Sequence, residues 1–219
     1  MNLSLNKNEI QKYILNQIDL FYPDKHSNKK YLKISLIEDA LERVDYCFKK
    51  ISFSYYYDGK NTIFNHLFSD HYLMFIWFLS NTVYKEYGIN NLTNKLYYLN
   101  KTLHGFDCMA DTNLPDIFLV QHGVGTMLGK AVYNNYFVVY QGCTVGANKG
   151  KYPIINQGVT LAANSSVIGA CIVNKGTTIS TRSLLFEKNT EENSIIYPNS
   201  TKISKIPFSQ NFFNANVLF

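Results

Sequence analysis

The sequence predicts an α+β protein: a helical N-terminal domain over residues 1–105, a parallel β-helix over residues 106–190 and a C-terminal tail over residues 191–219. Three observations predict this fold class. Up to about residue 105, apolar residues recur every three or four positions, which is the period of an amphipathic helix. Beyond about residue 115, Gly, Val, Ile, Thr and Asn replace most charged residues. In that second half, apolar residues recur every six positions, which is the period of neither a helix nor an alternating strand.

The first two helices are predicted from apolar spacing and from a cap. Ile10, Ile14 and Ile18 recur at four-residue spacing and form one apolar face. The segment Ser35–Glu38 has the form of a capping box, in which the serine hydroxyl accepts from an early backbone N–H and the glutamate reaches back. The second helix is therefore expected to begin at this segment.

Two further helices follow in the first half. Asp70–Tyr87 has an almost wholly apolar middle, which indicates a helix buried on most sides. Asn91–Leu103 is predicted to be the last helix, and Gly105 is expected to end it, since glycine adopts the left-handed cap conformation at little cost.

The six-residue repeat is the strongest signal in the second half. A strict register of such residues is typical of a hexapeptide-repeat β-helix, in which about three hexads close one coil and the aliphatic side chains stack inside. The alternative is accidental spacing within a β-sandwich. Earlier residues step in the same way, and four extra residues loop out before the main series. That series is Ile155, Leu161, Val167, Val173, Ile179 and Leu185, preceded by Leu128, Tyr133, Val139 and Val145.

Composition excludes several classes of protein. The chain is 46% hydrophobic, so it is not disordered, and its formal charge of +5 comes from scattered lysines, which does not favour nucleic-acid binding. Four widely spaced cysteines predict no disulfide framework and no metal site. The first ten residues are polar, and the longest apolar run, Tyr72–Leu79, is too short to cross a membrane. A cytoplasmic protein is expected, with aromatic residues available for an oligomer interface.

The segment His122–Gly129 carries the most informative motif. It reads His-Gly-Val-Gly-Thr-Met-Leu-Gly, and Asp107 precedes the histidine by fifteen positions. From Asp107 onward the sequence resembles the serine acetyltransferases, whose catalytic stretch has the form Asp-x(14)-His-x-x-Gly-x-x-x-Gly. Gly125 and Gly129 complete that form here. The resemblance implies a left-handed β-helix of hexapeptide repeats that follows a helical domain, and an acetyl-CoA-dependent acyltransferase.

A histidine in this motif suits transfer of an acetyl group to a hydroxyl. An alcohol must lose its proton as it attacks a thioester, and an imidazole, with an ordinary pKa of about 6.5, is matched to that task. The resemblance implies that His122 is the general base and that Asp107 orients it. Backbone N–H groups near Gly146 and Ala147 are expected to stabilise the oxyanion.

The acceptor-binding residues depart from the family pattern. Gln121 stands where the family has Asp, and Lys151 and Tyr152 occupy a shortened loop where the family has Arg and His before Pro153. Lysine pairs with a carboxylate, but not through the two parallel bonds that arginine makes. Free serine and a sugar hydroxyl therefore both stay open as the acceptor. The loop from 146 to 153 is either a solvated turn, a flap over the acceptor or a contact to a neighbouring subunit.

The resemblance also implies a coenzyme A groove and an oligomer. Ala162, Ala163 and Thr181 are expected at the edge of the groove, and the oligomer is a homotrimer or a dimer of trimers with active sites between subunits. Two other functions stay open: N-acetylation of an amino sugar, and a structural β-helix without catalysis. The remaining candidates are expected to be structural or to be rivals of Asp107; they are Cys143 and Cys171 as buried thiols, His66 and His71 as core or boundary residues, and Asp111 and Asp116 as rival carboxylates.

Overall fold

The computed structural model describes residues 1–24 and 30–198, and the backbone of residues 200–202. It confirms the predicted fold class, because helices fill the first half and a parallel β-helix fills the second. The first half contains β1 (Asn2–Leu3), α1 (Lys7–Phe21), α2 (Ile34–Phe48), β2 (Ile63–Phe64), α3 (Ser69–Tyr87) and α4 (Asn91–His104).

Helix α3 forms the centre of the helical domain. Its residues from Asp70 to Val83 are buried, and α2 and α4 pack against it. Helix α4 ends as predicted, since Gly105 has φ 61° and its N–H donates to the Lys101 carbonyl. No helix in the described part of the chain is both long and apolar enough to span a bilayer.

The predicted start of α2 is wrong. The helix begins at Ile34 after Lys33, whose side chain makes no capping hydrogen bond. Ser35 therefore lies inside the first turn, where its hydroxyl does not cap the helix. A capping box does occur in α1, where Asn6 accepts from the Glu9 N–H at 3.0 Å and the Glu9 carboxylate accepts from the Asn6 N–H at 2.8 Å.

Thirteen short strands build the second half of the described chain. They are β3 (Phe118–Val120), β4 (Met127–Leu128), β5 (Val132–Tyr133), β6 (Phe137–Val139), β7 (Thr144–Gly146), β8 (Ile154–Ile155), β9 (Thr160–Leu161), β10 (Ser166–Ile168), β11 (Ile172–Val173), β12 (Thr178–Ile179), β13 (Leu184–Phe186), β14 (Ile195–Tyr197) and β15 (Ser200–Lys202).

These strands form the three faces of a parallel β-helix. The first face is a long sheet of β3, β6, β9, β12, β14 and β15; the second is a four-stranded sheet of β4, β7, β10 and β13; the third is a three-stranded sheet of β5, β8 and β11. Each strand pairs in parallel with the equivalent strand of the next coil, except that β15 runs antiparallel to β14. The chain passes from the long sheet to the four-stranded sheet at one corner, called here the histidine corner because His122 lies on it. It leaves the four-stranded sheet at a second corner, called here the hairpin corner, which carries residues 147–153 in the second coil.

The six-residue repeat fills the interior of the β-helix, as predicted. In the long sheet, Val120, Val139, Leu161 and Ile179 stack in register, and each is buried. The same holds in the four-stranded sheet, where Val145, Val167 and Leu185 align. Burial of one aliphatic side chain per hexad supplies the hydrophobic free energy that holds the coils together.

The helical domain packs on the first coil. The rings of Trp77 and Phe78 in α3 each lie 5.2 Å from the ring of Phe118 in β3. The Cys47 thiol of α2 donates to the Phe118 carbonyl at 3.1 Å. The two halves therefore share one hydrophobic core, and the turn after β3 lies against the start of α3. The aromatic end of the tail, Phe212–Phe219, lies outside the described residues.

Candidate active site

His122 lies on the turn between β3 and β4, with its side chain 73% exposed. Its φ of 52° is in the left-handed region, which a non-glycine residue adopts only when its surroundings hold it there. The next residue, Gly123, lies so close to α3 that a side chain does not fit there: a Cβ atom would be only 2.6 Å from the Leu73 side chain. The backbone thus packs closely against the helix, while the imidazole is largely exposed to solvent.

Asp70 holds this turn in place. Its carboxylate accepts from the His122 backbone N–H at 3.1 and 3.2 Å, and one of its oxygens lies 3.9 Å from His122 Nδ1. Asp70 is 5% exposed and lies in the first turn of α3, where the helix dipole favours a negative charge. Burial raises the pKa of Asp70, while the hydrogen bond and the charge of His122 oppose the rise. A carboxylate beside Nδ1 favours the tautomer that leaves Nε2 free to accept a proton.

Asp107, predicted to orient His122, is directed elsewhere. One carboxylate oxygen accepts from the Tyr97 hydroxyl at 2.8 Å and the other pairs with Lys101 Nζ at 2.6 Å. Burial raises the pKa of Asp107, but these two bonds outweigh it and the net pKa is lowered. No hydrogen bond or ion pair joins Asp107 to His122 in the described contacts. In the structure Asp70 is the carboxylate that contacts His122, while Tyr97 and Lys101 of α4 bond Asp107. The roles of His122 as base and Asp107 as its orienting partner stay predictions.

The rival carboxylates have partners of their own. Asp111 pairs with Lys130 at 3.0 Å. Asp116 lies near Arg43: burial lowers the pKa of Arg43, and the negative charge of Asp116 partly opposes that effect. Neither is paired with His122 in the described contacts.

The predicted groove residues share the histidine corner with His122. The register of the long sheet places Gln121, Tyr140 and Ala162 in one column, since each follows an aligned core residue. In the adjacent column Val124, Gln141, Ala163 and Thr181 align, because the Gly142 N–H donates to Val124 O at 3.0 Å, the Asn164 N–H to Gln141 O at 2.9 Å and the Arg182 N–H to Ala163 O at 3.1 Å. The first coil has two extra residues at this corner, and His122 lies in that longer turn, between Gln121 and Val124. Gln121, His122, Ala162, Ala163 and Thr181 therefore share one corner of the β-helix, in successive coils.

Gly146, Ala147, Lys151 and Tyr152 lie on the hairpin corner instead. There the loop is a two-residue turn, in which the Asn148 and Lys151 backbones exchange hydrogen bonds at 2.9 and 3.1 Å. Its central residues have φ of 48° and 73°, as a tight hairpin requires. Gly146 comes five positions after Gln141 of the histidine corner, a separation on the order of 15 Å in extended chain. Within one chain, the four residues do not meet His122.

The predicted structural thiols and histidines are buried or bonded as expected. Cys143 and Cys171 are 0% and 1% exposed, and the Cys143 thiol donates to the Ala162 carbonyl at 3.1 Å. Burial raises the pKa of Cys143. His71 is 1% exposed, and burial lowers its pKa to about 4; His66 is bonded to Ser4 at 2.8 Å.

Two residues near His122 were missed by sequence reasoning. Asp70 lies at the start of an apolar run, and an acidic residue there is equally expected for the first turn of a helix. Its position in the sequence therefore does not mark it as a site residue. Tyr55 precedes α3 in a loop without a motif, yet its phenol is hydrogen-bonded to Gln121. Burial is the main cause of the raised pKa of Tyr55. Gln121 lowers this pKa and the Asp70 charge raises it, so the Tyr55 hydroxyl is near both side chains.

Solved serine acetyltransferases have the same fold. One from Neisseria gonorrhoeae matches with a TM-score of 0.67 at 15% identity, covering 98% of this chain and 86% of that one. Isoform 3 from Entamoeba histolytica, solved in complex with cysteine, gives 0.63 at 20% identity over 92% and 74% of the two chains. A serine acetyltransferase in complex with CoA gives 0.63 at 14% identity over 88% and 75%. No family model and no curated protein matches the sequence. The chain thus has the serine acetyltransferase fold, which confirms the resemblance at the level of architecture.

Proposed function

We propose that this chain is an acetyl-CoA-dependent O-acetyltransferase in which His122 is the general base. One observation supports it most strongly: an exposed imidazole stands on a left-handed corner of the first coil, and a buried carboxylate holds its backbone. A solvent-facing histidine in a costly conformation is typical of a catalytic group. The match to a serine acetyltransferase bound to CoA adds support for the donor.

In the proposed reaction, Nε2 of His122 takes the proton of the acceptor hydroxyl as its oxygen attacks the thioester carbonyl. The C–O bond forms, a tetrahedral oxyanion results, and the C–S bond then breaks. His122 returns the proton to the departing thiolate, so atoms and charge balance without a covalent enzyme intermediate. The carboxylate of Asp70 stabilises the imidazolium in between. Backbone N–H groups at Gly146 and Ala147 are the proposed oxyanion donors.

The proposed site is completed by a second subunit. His122 and the Gly146 region lie on opposite edges of the four-stranded sheet, so a neighbouring chain must bring its hairpin corner to the histidine corner. The outer face of that sheet carries exposed apolar side chains, with Met127 51%, Leu184 61% and Phe186 45% exposed. Such a patch favours a subunit contact. We propose a homotrimer, or a dimer of trimers, in the cytoplasm, where the four buried cysteines stay reduced.

The donor is proposed to lie along the histidine corner. Ala162, Ala163 and Thr181 lie on the histidine corner in the coils that follow His122, and their small side chains leave the backbone open to a long arm. Coenzyme A bound there would present its thioester to His122.

The test is a thiol-release assay with acetyl-CoA and a panel of acceptors. His122→Ala should lower kcat by about 10²–10⁴ while the chain stays folded, because it removes the base alone. His66→Ala is the matched control, since that histidine is bonded to Ser4 and should leave kcat unchanged. Equal activity of wild type and His122→Ala would overturn the proposal. Release with amino sugars alone would assign an N-acetyltransferase instead.

A further inference from the structure

The region beside His122 contains buried polar atoms that have no partner. In the described part of the chain, no hydrogen bond reaches the hydroxyls of Tyr56 and Tyr140, Oε1 of Gln141 or Nε2 of His71. A buried polar group without a partner is costly, so a cluster of them marks a place where a bound molecule supplies bonds.

These atoms are close to one another and to the catalytic corner. The ring centroids of Tyr56 and His71 lie 4.4 Å apart. Burial is the main cause of the raised pKa of Tyr56, and the nearby Asp70 and Tyr140 raise it further. Gln141 follows Tyr140 on the histidine corner and stands in register with Val124, two residues after His122. Both residues are partly exposed as a whole, but the Tyr140 hydroxyl and Gln141 Oε1 are themselves covered, so a bound molecule meets these two atoms only after the side chains rotate.

An aromatic wall stands next to this cluster. The Tyr55 ring is 42% exposed and lies parallel to Phe53, with an interplanar angle of 4° and a centroid distance of 5.3 Å; Phe68 is 5.4 Å away. Its hydroxyl is bonded to Gln121, the residue before His122. A flat ring held by stacking attracts the slightly positive C–H face of a saturated ring through its π-electrons.

The charge at this place does not suit an amino acid. Among the described contacts of Asp70, Gln121 and His122, none is with lysine or arginine. Burial lowers the pKa of His71 to about 4, so that histidine is neutral at pH 7. Within one chain, a carboxylate placed here would face the Asp70 charge, and a cation to hold it would have to be the partner subunit's Lys151.

On the basis of the proposed function, we infer that the acceptor is an uncharged saccharide bound beside His122. Its ring lies on Tyr55, and its hydroxyl groups bond to Gln121, Tyr140 and Gln141. One further hydroxyl meets Nε2 of His122 and receives the acetyl group. Apolar contact with a few convergent polar groups is the usual composition of a small-molecule site.

The experiment compares acceptors and variants in the thiol-release assay with the full chain. The acceptors are L-serine, methyl glycosides of a hexose, a deoxyhexose and an N-acetylhexosamine, and a nucleotide sugar. We expect release with a methyl glycoside and none with L-serine. Release with the nucleotide sugar alone would overturn an uncharged acceptor.

The variants test the binding residues. Tyr55→Ala should raise KM for the glycoside about three- to tenfold, in line with loss of one aromatic contact, and leave KM for acetyl-CoA unchanged. Gln141→Leu should raise the same KM. Tyr98→Ala is the matched control, since that ring is 54% exposed and stacks on Tyr22 instead, so it should change neither KM.

The outcomes separate this inference from the proposed function. Release with L-serine that depends on Lys151 would overturn the saccharide and leave the acetyltransferase intact. Unchanged glycoside KM in Tyr55→Ala would overturn this binding site alone. If no acceptor gives release, the proposed catalysis is rejected, and saturation-transfer NMR then decides on the binding site. Binding of a methyl glycoside by wild type and not by Tyr55→Ala would support the saccharide site. Absence of binding by wild type would overturn both proposals.

Discussion

Two carboxylates close to the first coil act differently because their neighbours differ. Asp107 is paired with Lys101 and Tyr97, so its charge is neutralised by α4. Among the described residues Asp70 has no lysine or arginine partner, and its bonds go to the His122 turn. The charge that acts on the imidazole is therefore that of Asp70.

Replacing Asp70 tests this assignment. Asp70→Asn keeps the size of the side chain and one acceptor oxygen for the His122 N–H, but it removes the charge. We expect kcat to fall about 10- to 100-fold with little change in acceptor KM. Steady-state rates at several acceptor concentrations measure both constants.

Asp107→Asn is the control for this prediction. It should keep kcat within a factor of about three, and any loss should appear in stability, since it breaks a partly exposed ion pair. A larger loss of kcat in Asp107→Asn than in Asp70→Asn would contradict the geometry described above.

At this scale, sequence reasoning singled out His122 but not Asp70, the carboxylate that contacts it. The histidine was marked by a spaced motif within one segment. Asp70 lies 52 positions earlier, on a different secondary-structure element, and only the docking of α3 on the first coil brings the two together. A single sequence contains no signal for such a contact.

Among the elements, the coils were the most predictable part. Each hexad places one aliphatic residue inside, so the register follows from counting. The start of α2 was predicted less well, because a serine followed by a glutamate three residues later also occurs within a first turn. Lys33 precedes the helix without a side-chain cap, and burial of Leu36, Ile37 and Ala40 fixes the helix instead.

Adjacent residues of β11 provide a test of the inward register. Val173 is 0% exposed and Ile172 is 38% exposed. Val173→Asp should unfold the β-helix or lower its unfolding free energy by several kcal/mol, because it buries a charge without a partner. Ile172→Asp, the matched control, should change stability by less than about 1 kcal/mol. Urea unfolding followed by circular dichroism compares them, and similar stabilities would refute the assigned register.

For the whole molecule, stability should depend on two buried neutral histidines. Burial lowers the pKa of His71 to about 4 and that of His104 to about 4, against an ordinary value of 6.5. Between those values the unfolded chain binds more protons than the folded chain. Stability is therefore complete above about pH 6.5 and falls as the pH drops toward 4, by up to about 1.4 kcal/mol per pH unit for each histidine.

Urea midpoints measured from pH 7 to pH 4 check this expectation. His71→Phe should flatten the dependence, since the new ring fits among Phe48, Tyr56 and Phe68 and does not titrate. Asp70 works in the opposite direction, because its raised pKa favours the folded state on acidification. A midpoint that is constant from pH 6.5 to 4.5 in wild type would contradict the prediction.

Both ends of the long sheet are covered, and this affects how copies of the chain meet. At the first coil, Cys47 bonds the Phe118 carbonyl and α3 lies over β3; at the last, β15 turns back against β14. An uncovered edge of parallel strands is a template on which another copy adds its own coils, which leads to filaments. In the described part of the chain, the protein's own residues cover both ends of the long sheet. End-to-end stacking of copies through this sheet is therefore disfavoured, and filaments are not expected.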